Sequence, residues 1–267
     1  MPLQPYYEPN AITPHYKLRY GWVGWPTRGT KFPKDMQYHL AAPAEGWEED
    51  GLRLLETSFS PDCVLMTFSV KPHVPPVLFT GRVKGRLQYA LRSAGLRVKF
   101  SRKVAMQSIG ENHREDVEAY IANQIANESW ADPRMMEVLA PFTVTNPEVD
   151  LSVPTETTSG RYWYNLHLVL VTEGRWRNSE PSWLAKIRDQ SFAIAEKKGH
   201  GISRLSVMPE HVHFSLRGNL EHSPEEIALA FQNNLAYYLA RCRVWRETYY
   251  VGTFGEYDMN AVRSWDG

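Results

Sequence analysis

Residues 207–216 read VMPEHVHFSL, a strand end, a Pro209-Glu210 turn and a second strand carrying two alternating histidines. Ile202–Met208 and Val212–Leu216 are rich in β-formers, so the turn joins two antiparallel strands. Upstream, Tyr162–Thr172 (YWYNLHLVLVT) alternates and is a third strand. Between them Ser182 is expected to cap a helix with Leu184, Ile187, Phe192 and Ala195 on its apolar side, ended by Gly199. Downstream, Ser223-Pro224-Glu225-Glu226 is a capping box with proline at the first helical position. Its helix carries Ile227, Phe231, Leu235, Tyr238 and Cys242 at helical spacing. A strand at YYVGTF (249–254) and a short C-terminal helix complete the series.

The N-terminal half follows the same plan. Tyr16–Trp25, Leu52–Phe59 and Val64–Val70 read as strands, the last two around Pro61-Asp62. A helix with Phe79, Val83, Leu87 and Leu91 on one face ends at Gly95, and Val104–Ile109 is strand-like. Asn112, with Glu115 three residues on, is expected to cap a helix through EDVEAYIANQI. Residues 26–51, rich in Pro, Gly and charge, replace the first helix with nothing a periodicity describes. Residues 126–160 are a proline-containing, Ser/Thr-rich connector with room for a short helix at Pro133–Leu139. The expected fold class is α+β, two ferredoxin-like domains at 1–125 and 161–267, each an antiparallel sheet flanked by helices.

Composition sets outer bounds. Lys plus Arg and Asp plus Glu are both 30, so bulk charge predicts no polyanion partner. Two cysteines, Cys63 and Cys242, make no disulfide framework and no paired-thiolate metal motif, which fits a reducing cytoplasm. No apolar run is long enough to suggest a membrane span.

Three features could carry chemistry. His211 and His213, two apart on a strand, share one face and can offer two imidazoles to one divalent ion, although a solvated strand face gives the same pattern. Tyr120 and Gln124, four apart on a helix, can present a phenol and an amide oxygen together, although an amphipathic helix gives that pattern too. Residues 82–103 hold Arg82, Lys84, Arg86, Arg92, Arg97, Lys99, Arg102 and Lys103 without one acid, interleaved with Tyr89 and Phe100. Such a stretch suits nucleic-acid phosphates and bases.

Together these residues resemble the single-tyrosine HUH transposases of small insertion sequences and their relatives at repetitive extragenic palindromes. NLHLVLVT, VMPEHVHFSL and WRETYYVGTFG carry the resemblance in the second half. SPDCVLMTFSV, GRVKGRLQYALR and SRKVAMQSIGENHREDVEAYIANQ carry it in the first. Cys63 and Leu65 stand where that family has its histidines, and Trp265 stands at the second tyrosine position. The family builds each site from two subunits. The resemblance therefore implies a fused pseudo-dimer with one composite site of His211, His213, Gln124 and Tyr120. It implies magnesium or manganese on the first three, and a covalent 5′-phosphotyrosine on single-stranded or hairpin DNA. The chain is expected to act as a monomer. A non-catalytic DNA- or RNA-binding protein that kept the fold is the competing reading.

Overall fold

The computed structural model describes residues 4–130, 132–240 and 242–255. The expected C-terminal helix and Trp265 lie outside the described residues. The first half contains β1 (His15–Lys17), β2 (Arg19–Pro26), α1 (Ala44–Glu49), β3 (Leu52–Phe59), β4 (Val64–Val70), α2 (Pro76–Ser93), β5 (Phe100–Ile109) and α3 (Arg114–Ala122). The connector adds α4 (Gln124–Asn127), α5 (Arg134–Leu139), β6 (Thr143–Thr145) and β7 (Thr155–Glu156). The second half holds β8 (Gly160–Trp163), β9 (Asn165–Val171), α6 (Pro181–Lys198), β10 (Gly201–Val207), β11 (His211–Arg217), α7 (Pro224–Leu239) and β12 (Tyr250–Thr253).

These strands form two six-stranded sheets, β3-β4-β2-β5-β8-β7 and β1-β12-β9-β11-β10-β6. Each contains the same antiparallel four-strand core: β3-β4-β2-β5 in one, β10-β11-β9-β12 in the other. Counted in chain order, both cores run second, third, first, fourth. The edges are reciprocal. β1, just before the first half's leading strand, pairs parallel with β12 of the second sheet. β8, just before the second half's leading strand, pairs parallel with β5 of the first. The connector also serves both sheets, β6 lying beside β10 and β7 beside β8.

Strand alternation explains the core. In β11, Val212, Phe214 and Leu216 are fully buried, and Phe214 meets Phe231 of α7 at 4.7 Å between ring centroids. In the first half Phe68 and Tyr20 meet Phe79 of α2 at 5.5 and 5.4 Å, and Trp47 of α1 closes on Phe68 at 5.1 Å. Each such side chain contributes roughly 1.5–3 kcal/mol by leaving water.

Several local expectations shift. The capping box at Ser223 is present in full, and Gly199 ends α6 with φ 70°. α6 is capped not by Ser182 but by Glu180, whose carboxylate accepts from Ser182 N at 3.4 Å, because Pro181 takes the first helical position. His113, not Asn112, precedes α3, and the Asn112 carbonyl instead accepts from Gly255 N. The tyrosine helix does not run unbroken: it is interrupted at Asn123, whose side-chain amide turns back to Ala119 O at 2.9 Å. Cys242 lies beyond the end of α7, and Tyr238 is exposed rather than in the core. Residues 26–51 fold into a 3₁₀ turn and α1. No helix among the described residues is long and apolar enough to cross a membrane.

Candidate active site

Alternation that buries Val212 and Phe214 on the helix side turns His211 and His213 to the other face of the second sheet. That face is covered by α3, which comes from the first half and packs on β10 and β11. Val117 and Ile121 of α3 anchor it against Leu151 and Phe254, and Glu118 reaches Arg204 of β10 at 3.8 Å. The same helix delivers Tyr120. Its ring centroid lies 5.7 Å from that of His213 and 6.3 Å from that of His167, edge-on to both, and the side chain is 48% exposed.

His167 was not singled out in the sequence. It lies on β9 one register step along from His213, so both rings share a face. The two stack at 5.3 Å, with His167 Nε2 3.0 Å from His213 Nδ1. His211 adds a third ring 4.9 Å from His213, and Tyr250 of β12 flanks His167 at 5.7 Å. A lone histidine in NLHLVLVT looks like an ordinary strand residue. Only the pairing of β9 with β11 reveals its neighbour.

Burial governs the protonation of this cluster. It drives His167 down to about 4 and lowers His211, where Glu210 and Glu128 oppose it. His213 falls well below the usual imidazole range through burial and the adjoining His167 and His211. All three rings are therefore neutral at pH 7. His213 Nδ1 is engaged by His167, which leaves Nε2 as the atom able to bind an ion.

Gln124 sits apart from Tyr120 in character. It is 3% exposed, and its buried amide nitrogen has no hydrogen-bond partner among the described residues. A buried amide left unsatisfied is what a missing ligand would explain, and amide oxygen and nitrogen are exchanged by a simple flip. Two neutral imidazoles and one amide oxygen fit a divalent cation. No three His, Cys, Asp or Glu side chains converge as a metal site among the described residues.

The corresponding face of the first sheet has different chemistry. Leu65 pairs with Val23 as His213 pairs with Val169, and Gly21 occupies the place of His167. Leu65, Val23, Trp25, Ala105 and Ile109 form an apolar cluster, with Cys63 and Trp163 against it. Hydrocarbon there offers nothing to a hard cation.

The basic stretch is less uniform than its sequence. Arg86 pairs with Asp50 at 2.5 Å and Glu49 at 3.6 Å, and Arg82 lies 3.8 Å from Asp50. Lys84 donates to Ser101 O at 2.5 Å, and burial lowers its pKa. Arg92, Arg97, Lys99 and Arg102 have no ion pair among the described residues. Lys103 has a partner.

Residues 161–265 match the model of the family described as IS200-like transposases. Among curated proteins none matches the chain. Among solved structures, a Deinococcus radiodurans R1 protein described as a candidate transposase is 20% identical over 38% of this chain and 86% of its own, with TM-score 0.30. Clostridium acetobutylicum aspartate kinase is 7% identical over 83% of this chain and 33% of its own, at TM-score 0.21. The ligand-free regulatory subunit of aspartate kinase from Thermus thermophilus is 11% identical over 84% and 98%, at 0.19. Overall similarity at this level is too low to fix a fold or an activity. The family match falls on the half that carries the histidine strand, and residues 161–265 are similar to the IS200-like transposase family.

Proposed function

We propose that the chain is a single-stranded DNA nicking and joining enzyme whose one active site is shared between its two related halves. The carrying observation is the 5.7 Å approach of the Tyr120 ring, from the first half, to the His213 ring of the second. Matching strand orders in the two sheets support descent of both halves from one unit.

The Tyr120 phenol oxygen attacks the scissile phosphorus. A bond forms between that oxygen and phosphorus as the bond from phosphorus to the 3′-oxygen breaks. The phenol proton is lost to solvent, and the departing 3′-oxygen takes up a proton to become a hydroxyl. The product is a 5′-phosphotyrosine, and attack on it by another 3′-hydroxyl rejoins DNA without a nucleotide cofactor. His211, His213 and Gln124 would hold magnesium or manganese, which when bound polarises the scissile phosphate and offsets charge building on its oxygens. With the His213 proton on Nδ1, His167 Nε2 would accept it and hold the ring, leaving His213 Nε2 as the nitrogen that would bind an ion. Half-exposure of Tyr120 leaves room for a strand to reach the phenol.

The test is covalent capture. Protein incubated with manganese and end-labelled single strands or hairpins should give an adduct that survives a denaturing gel. Tyr120→Phe should abolish it, and His213→Ala should reduce it by two or more orders of magnitude, about the weight of a principal catalytic group. Binding without an adduct on any DNA would instead support a protein that keeps the fold only as a nucleic-acid clamp.

A further inference from the structure

The segment between β9 and α6 runs Thr172-Glu173-Gly174-Arg175-Trp176-Arg177 and is tied to the turn that leads into the histidine strand. Thr172 N donates to Glu210 O at 2.8 Å, and Asn178 N donates to Pro209 O at 2.9 Å. Thr172 Oγ1 lies 2.7 Å from Trp176 O and 3.0 Å from Glu210 O. Glu173 N donates to Val244 O at 2.8 Å. A loop this well tethered moves with His211.

Its conformation carries strain with no return in burial. Gly174 and Arg175 are both left-handed, at φ 60° and 53°, and Arg175 is the one non-glycine residue with positive φ among the described residues. Trp176 is 52% exposed and is steadied only edge-on, by Trp183 at 5.5 Å. The side chains of Arg175 and Arg177 are 65% and 71% exposed. Both are oriented by the sheltered Glu210 carboxylate: Arg177 through Nε, Arg175 through one terminal nitrogen at 3.6 Å. Arg177 is thereby aimed through Nε while most of its side chain stays exposed. Glu128 is the other acid near Arg177, so an incoming phosphate meets two guanidiniums and two carboxylates, one of them largely buried.

We propose that Arg175, Trp176 and Arg177 form a platform for unpaired nucleotides beside His211, with the Trp176 indole stacking on one base and the two guanidiniums taking the flanking phosphates. An exposed indole between two aimed guanidiniums suits single-stranded nucleic acid, where every base offers a π-face and the backbone supplies anions. Duplex DNA hides the bases and offers the indole nothing. The inference rests on the proposed single-strand chemistry at His211 and His213 and specifies what holds the strand there.

The experiment is fluorescence anisotropy in EDTA, which separates binding from cleavage, with a labelled mixed-sequence strand of about 20 nucleotides. Trp176→Ala should weaken binding by about 5- to 150-fold, and Trp176→Phe should restore most of it. Arg177→Gln should lower the slope of log affinity against log salt by about 0.7, and Arg175→Gln by a similar amount. The same strand annealed into a duplex should be insensitive to Trp176→Ala. Wild-type affinity in Trp176→Ala, alongside normal formation of the tyrosine adduct, would overturn the platform and leave the active-site proposal standing. Failure of the wild-type chain to bind any single strand would overturn both.

Discussion

The contact between His167 and His213 has a measurable consequence. Replacing His167 with Phe keeps a ring in the stack but removes the acceptor for His213 Nδ1. If His213 holds an ion as proposed, losing the residue that orients its ring should cost about 10- to 100-fold in metal affinity. Titration of manganese followed by electron paramagnetic resonance should show that loss, and His167→Gln, which keeps an acceptor near the old Nε2, should recover much of it. Unchanged affinity in His167→Phe would remove His167 from the site. At this scale the sequence was half legible. His211 and His213 advertise themselves by spacing, and Tyr120 by the family motif. His167 depends on strand register and the Arg175 strain on a dihedral angle, and neither is written in a local pattern.

Among the elements, α1 is a helix that periodicity missed, as it missed the short strands β6 and β7 of the connector. Six residues in a segment dense with Pro and Gly give no helical repeat to detect. Its place explains its composition: Trp47 is buried against Phe68, while Glu49 and Asp50 face Arg86. α1 therefore masks part of the basic face that the sequence of α2 suggests. The Arg86 guanidinium holds the Asp50 carboxyl below its ordinary value. Asp50→Asn should lose that pairing at a cost of about 1 kcal/mol, seen in urea unfolding, because the pair is partly exposed. The same change should tighten single-stranded DNA binding and steepen its salt dependence, since Arg82 loses its acid and Arg86 keeps only Glu49. Unaltered DNA affinity would mean that this face of α2 does not meet DNA. Long amphipathic elements such as α6 and α7, and the four core strands of each half, were legible because burial imposes their periods.

Across the whole molecule, the exchange of β1 and β8 joins the halves beyond the covalent connector. Tyr7 adds a further tie: its hydroxyl accepts from Val244 N at 2.8 Å and Trp245 N at 2.6 Å, and donates to Trp245 O at 3.0 Å. Cutting the exposed turn at 157–159, between β7 and β8, should leave two fragments that elute as one species on size exclusion under native conditions. Separation into two peaks would show that the crossed strands contribute little. This arrangement could not be read from the chain, because each edge strand is only three or four residues long and its partner is more than 50 residues distant.

In an enzyme assembled from two separate subunits, thinning the solution pulls the nucleophile away from its imidazoles, and turnover per molecule falls with concentration. Here the helix bearing Tyr120 and the strand bearing His213 travel on one interlaced polypeptide. If the proposed shared site is the working one, activity per molecule should stay constant on dilution, and a fall with concentration would show that a second chain completes the site.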